Sequence, residues 1–147
     1  MLRYQLYETN GEKIPIEKEI GFLSDYVDLQ KLRKDENYTV QFYCSPEVKG
    51  FSLEPLLLVP FVENAFKHIS HKLNEDNFIK LELSKRNGIF EMKVENSKEP
   101  GDVHTEKAGG IGLMNVKRRL ELLYPQRHEL IINNELDKYS VYLKIKI

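Results

Sequence analysis

Four polar residues in the middle of the chain have the types and spacing of a ligand site. They lie within residues 63–68, whose sequence is ENAFKH. Residues three and four positions apart share one face of a helix, so a helix here would group these four side chains. Asn64 offers a neutral oxygen of the kind that Mg²⁺ accepts, and Lys67 offers a positive charge for phosphate. His68 could donate a hydrogen bond to phosphate, and Glu63 could accept a proton or hold a metal-bound water.

An ordinary amphipathic helix with a solvated polar face is the alternative. The surrounding sequence argues against it, because residues 53–70 are strongly apolar and predict a mostly buried helix. A buried helix that carries one small polar patch often has a ligand over that patch. His71 lies one turn further on and is expected at the surface. The apolar stripe at helical spacing consists of Leu58, Val62, Ala65, Phe66 and Ile69.

A glycine-rich segment at residues 109–113, with sequence GGIGL, could supply phosphate contacts. It joins a polar stretch to an amphipathic helix, and the free N–H groups at the start of a helix bind phosphate. A flexible hinge is the alternative. The segment lacks the Lys-Ser/Thr of a P-loop and does not directly follow a strand, which argues against a Walker-type NTPase and a dinucleotide fingerprint. Together with residues 63–68, it predicts a site for a Mg²⁺-nucleotide.

The spacing of apolar residues predicts the helices and strands that would position these segments. Helices are expected at 16–34, 53–70 and 111–124. Strands are expected at 38–44, 78–84, 89–95, 129–133 and 139–147. This order predicts an α/β (α+β) two-layer sandwich, with about three helices on one face of a mixed sheet of about five strands.

Proline, glycine and charge refine the boundaries of these elements. Pro60 should kink the second helix or mark the start of its regular part, since proline breaks the helical hydrogen-bond pattern. Asn87-Gly88 is the strongest short signal of a hairpin turn. Residues 96–109 are polar and show no apolar period, so they are predicted to form a long loop. Acids fill the first turn of the helix at 16–34, as the helix dipole favours.

Composition limits the possible functions. The chain has 147 residues and a net charge of −1, from 22 basic and 23 acidic residues, which predicts no nucleic-acid surface. The basic cluster at residues 117–119 is expected to be a solvated helix face. Cys44 is the only cysteine, which excludes an intramolecular disulfide. No stretch approaches the ~20 apolar residues of a membrane span, so the chain is expected to be soluble, although it could derive from a membrane protein.

These segments resemble the N box and the G2 box of the GHKL (Bergerat-fold) ATPases. Within that superfamily they are similar to the LytS/YehU-type sensor histidine kinases. The resemblance implies the Bergerat fold of a catalytic ATP-binding domain, and it covers nearly the whole chain. The stretches that carry it are residues 53–68 (LEPLLLVPFVENAFKH), 110–124 (GIGLMNVKRRLELLY) and 19–33 (EIGFLSDYVDLQKLR).

The resemblance also implies a role for each candidate residue, with ATP and Mg²⁺ as the cofactors. Asn64 would bind Mg²⁺, and Glu63 is the best candidate for a catalytic base. Residues 96–109 would form the ATP lid. The nucleotide and its phosphates would be contacted by Lys67, His68, Asn96, Gly110, Gly112 and Leu113.

The chain departs from the family pattern in two places. The family carries an Asp where Asn96 stands, followed by a glycine-bearing motif that residues 94–100 lack. An Asn oxygen can still accept a hydrogen bond from the adenine amino group, without the charge assistance worth about 1 kcal/mol; a strand-end turn residue is its alternative role. The second departure is the absence of the Pro-His-Phe segment that carries the phosphoacceptor His. The chain is therefore expected to bind nucleotide without phosphorylating itself on that His.

The predicted function is the ATP-binding catalytic part of a bacterial two-component sensor kinase. The γ-phosphoryl of MgATP would pass to a His outside this chain and then to an Asp of a response regulator, with the LytTR type implied by the resemblance. Residues 1–35 would be the end of the dimerisation region of a homodimeric kinase, and residues 36–147 its catalytic domain. The chain is expected in the cytoplasm, attached to an inner-membrane sensor through segments outside it.

Two other functions are compatible with parts of the sequence. A degenerate GHKL module that acts through protein contacts alone is favoured by the altered residues 94–100. A GHKL ATPase of the topoisomerase or chaperone kind is opposed by the kinase-like helix at 16–34 and by the short lid. Substitution of Asn64 would separate the first alternative from a kinase, because a scaffold should not depend on that side chain.

Overall fold

The computed structural model describes residues 12–33, 37–71, 76–100 and 104–147, with the side chains of residues 104–111 excepted. The helices are α1 (Ile16–Lys31), α2 (Val59–His68) and α3 (His104–Leu123). The strands are β1 (Ile14–Pro15), β2 (Thr39–Cys44), β3 (Ser52–Leu53), β4 (Phe78–Arg86), β5 (Ile89–Ser97), β6 (His128–Asn134) and β7 (Lys138–Lys146).

Five of the strands form one sheet in the order β2-β4-β5-β7-β6. β2 pairs with β4 in parallel, whereas the other neighbours pair antiparallel, so the sheet is mixed. β1 and β3 form a separate antiparallel pair. Asn87 and Gly88, between β4 and β5, have φ angles of 53° and 76°. A type I′ turn requires positive φ at both central residues, so the predicted hairpin is confirmed.

The core lies on one face of this sheet. Successive side chains of a strand point to opposite faces, so alternate residues of the three central strands are buried together. The helices place their buried residues in the same core. The predicted α/β two-layer sandwich, with its helices on one face of a five-stranded mixed sheet, is therefore confirmed. The buried strand residues are Ile79, Leu81 and Leu83 in β4, Phe90, Met92 and Val94 in β5, and Val141, Leu143 and Ile145 in β7.

α1 is part of this core and not an appendage to it. Ile16, Leu23 and Val27 are buried, and they pack in the same cluster as the residues of the sheet. The helix begins directly after Pro15, as predicted, and ends at Lys31. The predicted domain boundary between residues 35 and 36 lies outside the described residues. In the described ranges, no helix is both long enough and apolar enough to cross a membrane.

The start of the second helix differs from the prediction. Residues 53–58 are not helical, and α2 begins at Val59, with Pro60 in its first turn. Pro55 disfavours a helical conformation in the residue before it, whereas Pro60 lacks an N–H and is tolerated only in the first turn of a helix. Leu56 adopts a φ of 60°, in the left-handed region, which ends any helix there. Pro60 therefore marks the start of the regular helix, one of the two outcomes expected for it.

The predicted loop at residues 96–109 is too long. Asn96 and Ser97 belong to β5, and α3 begins at His104, while residues 101–103 lie outside the description. Residues 106–108, Glu-Lys-Ala, are good helix formers and can extend the helix toward the N-terminus. The glycines of residues 109–112 consequently lie inside α3, each at a cost of about 1 kcal/mol relative to alanine. The prediction that they mark the helix N-terminus is wrong.

Candidate functional site

A cleft of about 450 Å³ lies between α1, α2 and α3. It brings together five of the residues predicted to form a site: Glu63, Asn64, Lys67, Gly112 and Leu113. His68 and Asn96 are not among its lining residues, and the surroundings of Gly110 lie outside the described side chains. The rest of the lining consists of Tyr26, Gln30, Arg33, Pro60 and Phe66.

Asn64 holds a buried oxygen at the wall of this cleft. The residue is only 7% exposed, because α2 packs its apolar stripe against the sheet and Asn64 lies at the border of that stripe. Its Oδ1 has no hydrogen-bond partner among the described residues. Most buried polar atoms are paired, and an unpaired one costs about 1–3 kcal/mol. The arrangement therefore favours a ligand that binds to this oxygen.

The donor set around Asn64 fits Mg²⁺ bound together with a phosphate. Mg²⁺ accepts a neutral amide oxygen, and it usually keeps several waters and takes phosphate oxygens as further ligands. The described residues contain no group of three or more His, Cys, Asp or Glu side chains that could form an all-protein metal site. Lys67 is exposed and lies three positions after Asn64 in α2. It adds the positive charge that a phosphate requires.

Glu63 is partly withdrawn from water on the same wall. Burial raises the pKa of its carboxyl above the ordinary value of 4.5. The Tyr26 hydroxyl lies on the α1 side of the cleft, and its pKa is raised first by burial and then by the negative charge of Glu63. The charge on the α2 wall thus affects a titratable group on the α1 wall. A carboxyl with a raised pKa is suited to accept a proton near neutral pH.

Replacing Glu63 by glutamine is expected to stabilise the folded chain at neutral pH. Because the folded pKa is raised, the contribution of this carboxyl to stability is fully present below about pH 4.5 and is lost as the pH rises through the folded pKa. The gain in the free energy of unfolding of Glu63→Gln over the wild type should be smallest near pH 4 and grow toward pH 8. Chemical denaturation across this range measures it, and a gain that shrinks as the pH rises would contradict the expectation.

Aromatic rings pack together where α1 and α2 line the cleft, and two of them, Tyr26 and Phe66, belong to its lining. The Phe66 ring of α2 meets the ring of Tyr26 edge-on at 5.7 Å between centroids, and that of Tyr38 at 6.0 Å. Gln30 follows Tyr26 by one turn, and its Oε1 lies 3.4 Å from Nη1 of Arg33. Neither Tyr26 nor Gln30 is predicted from the sequence to belong to the site. Their spacing of four residues, which places both side chains on one face of α1, is the signal that could have identified them.

Asn96 lies at the end of β5, with only 1% of its surface exposed. Its Nδ2 donates to the Ser97 carbonyl oxygen at 2.9 Å and to the His68 carbonyl oxygen at 3.4 Å. It thereby connects the last residue of α2 to the strand end. The position matches its alternative role as a strand-end residue, and its hydrogen bond to adenine stays a prediction.

Substituting aspartate for Asn96, which would restore the family's residue, is expected to destabilise the fold by about 1–3 kcal/mol. The carboxylate cannot donate to the carbonyl oxygens of His68 and Ser97, and it would instead face them at close range. Chemical denaturation measures the loss. Asn133→Asp, in an exposed position of β6, is the matched control and should change stability by less than about 0.5 kcal/mol. Equal stabilities of the two variants would contradict the structural role of Asn96.

Curated relatives of the chain are sensor kinases. It is 25% identical over 136 residues to the sensor protein LytS of Bacillus cereus, a match that covers 85% of the chain and 23% of the relative. It is 31% identical over 87 residues to the sensor protein kinase HptS of Staphylococcus aureus, covering 59% of the chain and 17% of the relative. The chain thus spans less than a quarter of these relatives. The predicted resemblance to LytS-type sensor kinases is confirmed, although no known family model matches the chain.

Solved structures show the same fold. The catalytic domain of histidine kinase ThkA superposes with a TM-score of 0.64 at 17% identity, over 92% of this chain and 95% of that one. The histidine kinase domain of a blue-light activated histidine kinase from Erythrobacter litoralis gives 0.65 at 18% identity, over 92% and 67% of the two chains. Full-length ShkA in complex with AMPPNP gives 0.65 at 13% identity, over 92% and 30%. The present chain therefore shares the fold of histidine kinase catalytic domains.

Proposed function

We propose that this chain is the ATP-binding catalytic part of a bacterial two-component sensor histidine kinase. The observation that carries the proposal is the buried, unpaired Oδ1 of Asn64 beside Lys67, in a cleft between three helices. The relatives named as sensor kinases and the fold of histidine kinase catalytic domains support it.

The residues predicted to form the site have defined tasks in this function. Mg²⁺, when bound, would neutralise phosphate charge and orient the triphosphate. Asn64 would ligate it through Oδ1, and Lys67 would pair with a phosphate. Glu63 would accept the proton from the non-attacking imidazole nitrogen of the acceptor histidine as the other ring nitrogen bonds to the phosphorus, since its carboxyl has a raised pKa and lies at the cleft. Leu113 would exclude water from the nucleotide, and His68, Asn96, Gly110 and Gly112 keep their proposed roles as nucleotide contacts.

The acceptor and the partners follow from the same proposal. The γ-phosphoryl group would pass to a histidine on a dimerisation helix outside this chain, and then to an aspartate of a response regulator. A regulator of the LytTR type and a homodimeric kinase are proposed from the resemblance to LytS. The catalytic part would then work in the cytoplasm, as part of an inner-membrane sensor.

Thermal unfolding with added nucleotide tests this function. A ligand that binds only the folded state at 100 times its dissociation constant stabilises that state by about 2.7 kcal/mol. MgATP is therefore expected to raise the melting temperature of the chain in a concentration-dependent manner. Lys67→Ala should reduce this rise, whereas Lys49→Ala, outside the cleft, should not. An unchanged melting temperature at millimolar MgATP would contradict the proposal.

A non-catalytic module that acts through protein contacts is the second candidate. One observation favours it: the Asn96 amide is engaged with two backbone carbonyl oxygens of the protein itself. In that case Asn64 and Lys67 would be dispensable, and partner binding would survive their substitution.

A further inference from the structure

Glu19 of α1 is a completely buried acid whose carboxylate serves another helix. It is 0% exposed, which is rare for glutamate unless its charge is satisfied. Its Oε1 accepts the backbone N–H of Leu56 at 2.9 Å, and its Oε2 accepts that of Leu58, also at 2.9 Å. Burial raises the pKa of Glu19, and the two hydrogen bonds and the charge of Arg119 oppose this shift.

These bonds complete the start of α2. The first N–H groups of a helix have no partner within it, and a negative charge is favourable at that end. α2 has neither an acid in its first turn nor a side-chain cap of its own, and Leu58 is the residue directly before it. Glu19 therefore supplies, from a distant part of the sequence, the charge and acceptor that α2 lacks.

Arg119 of α3 holds the same segment from the other side. Its Nη2 donates to the Pro55 carbonyl oxygen at 3.2 Å, and its Nη1 to the Leu56 carbonyl oxygen at 3.4 Å. Both backbone groups of Leu56 are thus bound by side chains from two different helices. This explains how Leu56 keeps a φ of 60°, a backbone conformation that is unfavourable for residues with a Cβ.

We propose that Glu19 and Arg119 are positioning residues of the cleft, which fix the start of α2 and thereby the place of Asn64 between α1 and α3. The inference rests on the proposed function. All three helices that line the cleft meet at residues 55–58: α1 through Glu19, α3 through Arg119, and α2 as their continuation. A shift of α2 by a fraction of an ångström would move Asn64 Oδ1 from the position at which it would hold Mg²⁺, because a helix moves as a rigid element.

Glu19→Gln tests this inference by removing the charge and one of the two acceptor oxygens. The quantity to measure is the ratio of the ATP dissociation constants without and with Mg²⁺, determined by calorimetry on the folded variant. Substitution of a residue that orients a metal ligand costs about 10-fold or more in affinity, so this ratio should fall about tenfold. A purely structural loss would lower the melting temperature and leave the ratio unchanged.

Glu17→Gln is the matched control. It makes the same change on the same helix, at an exposed residue whose Oε2 accepts the Gly50 N–H at 3.3 Å, and should leave the ratio unchanged. In the nucleotide-free protein, the side-chain amide resonances of Asn64 should shift in Glu19→Gln and stay in place in Glu17→Gln. Arg119→Lys keeps the charge but loses the guanidinium fork, and should lower the ratio in the same direction. Arg119→Lys is the test variant if Glu19→Gln does not fold.

The outcomes separate this inference from the function on which it rests. A wild type that binds MgATP, together with folded variants that show an unchanged Mg²⁺ ratio, would overturn the positioning role and leave the proposed function intact. A wild type that binds no ATP in any condition would overturn the proposed function, and the inference with it.

Discussion

Asn64→Ala is expected to lower the Mg²⁺-dependent affinity for ATP by at least about 10- to 100-fold while leaving the fold intact. Among the described residues of the cleft, the Oδ1 of Asn64 is the only buried oxygen without a hydrogen-bond partner, and it is the candidate metal ligand. The variant lacks this atom. It also removes the cost of that oxygen, about 1–3 kcal/mol, which offsets the small cavity left behind. Its free energy of unfolding should therefore lie between that of the wild type and about 1 kcal/mol above it.

Asn77→Ala is the matched control for this variant. Asn77 is also buried, but its Nδ2 donates to the Asn37 carbonyl oxygen at 2.9 Å, and its Oδ1 accepts the Ser70 hydroxyl at 2.6 Å. Its loss should destabilise the fold by about 1–3 kcal/mol and leave the Mg²⁺ dependence of ATP binding unchanged. Calorimetry and chemical denaturation of both variants measure these opposite effects. An Asn64→Ala variant that is clearly destabilised would show that this amide is structural.

Leu120→Ala should have the largest effect on stability, a loss of about 3–5 kcal/mol. Leu120 is 0% exposed in the face of α3 that packs on the core, so alanine leaves a cavity that its close-packed neighbours cannot fill. The chain's total stability is of the order of 5–15 kcal/mol, as in most domains, so much of the margin would be lost. Urea denaturation followed by circular dichroism measures the change.

Leu122→Ala, two positions further along α3, is the matched control. Leu122 is 74% exposed, so the same substitution should alter stability by less than about 0.5 kcal/mol. Similar losses in the two variants would mean that α3 does not pack on the sheet through the face described. Such losses would also remove the basis for placing Leu113 at the cleft, since Leu113 and Leu120 belong to one buried stripe of α3.

Strands and buried faces are predictable here because their signals are local. The alternation of apolar residues in β4, β5 and β7 follows directly from the two-residue period of a strand, and the turn at Asn87-Gly88 requires only two residues. The grouping of Glu63, Asn64 and Lys67 is predictable for the same reason, because one helical turn fixes it.

The features that the sequence does not predict depend on hydrogen bonds between residues far apart in the chain. From the sequence, Glu19 is expected to favour the first turn of its own helix, α1. In the structure its carboxylate accepts the backbone N–H groups of Leu56 and Leu58, which lie just before α2. No local pattern shows this pairing, because its partners are 37 and 39 positions away. The left-handed Leu56 is equally unexpected, since the conformation is held by side chains and not by its own residue type.

The extent of α3 shows a conflict between two local signals. Glycines favour a break at residues 109–112, whereas Glu106, Lys107 and Ala108 favour continuation of the helix. The helix extends through both in this structure. Since each glycine costs about 1 kcal/mol in a helix, the free-energy difference between helix and loop is small there, and sequence alone does not decide it.

Calorimetric titration of this chain with ATP, in Mg²⁺ and in EDTA, tests whether the cleft is a Mg²⁺-nucleotide site. We expect saturable binding that is at least about tenfold tighter with Mg²⁺, because Asn64 would contribute to affinity only through the metal. Binding of equal strength in the two conditions, or no binding at millimolar ATP, would contradict the assignment of the cleft as a Mg²⁺-nucleotide site.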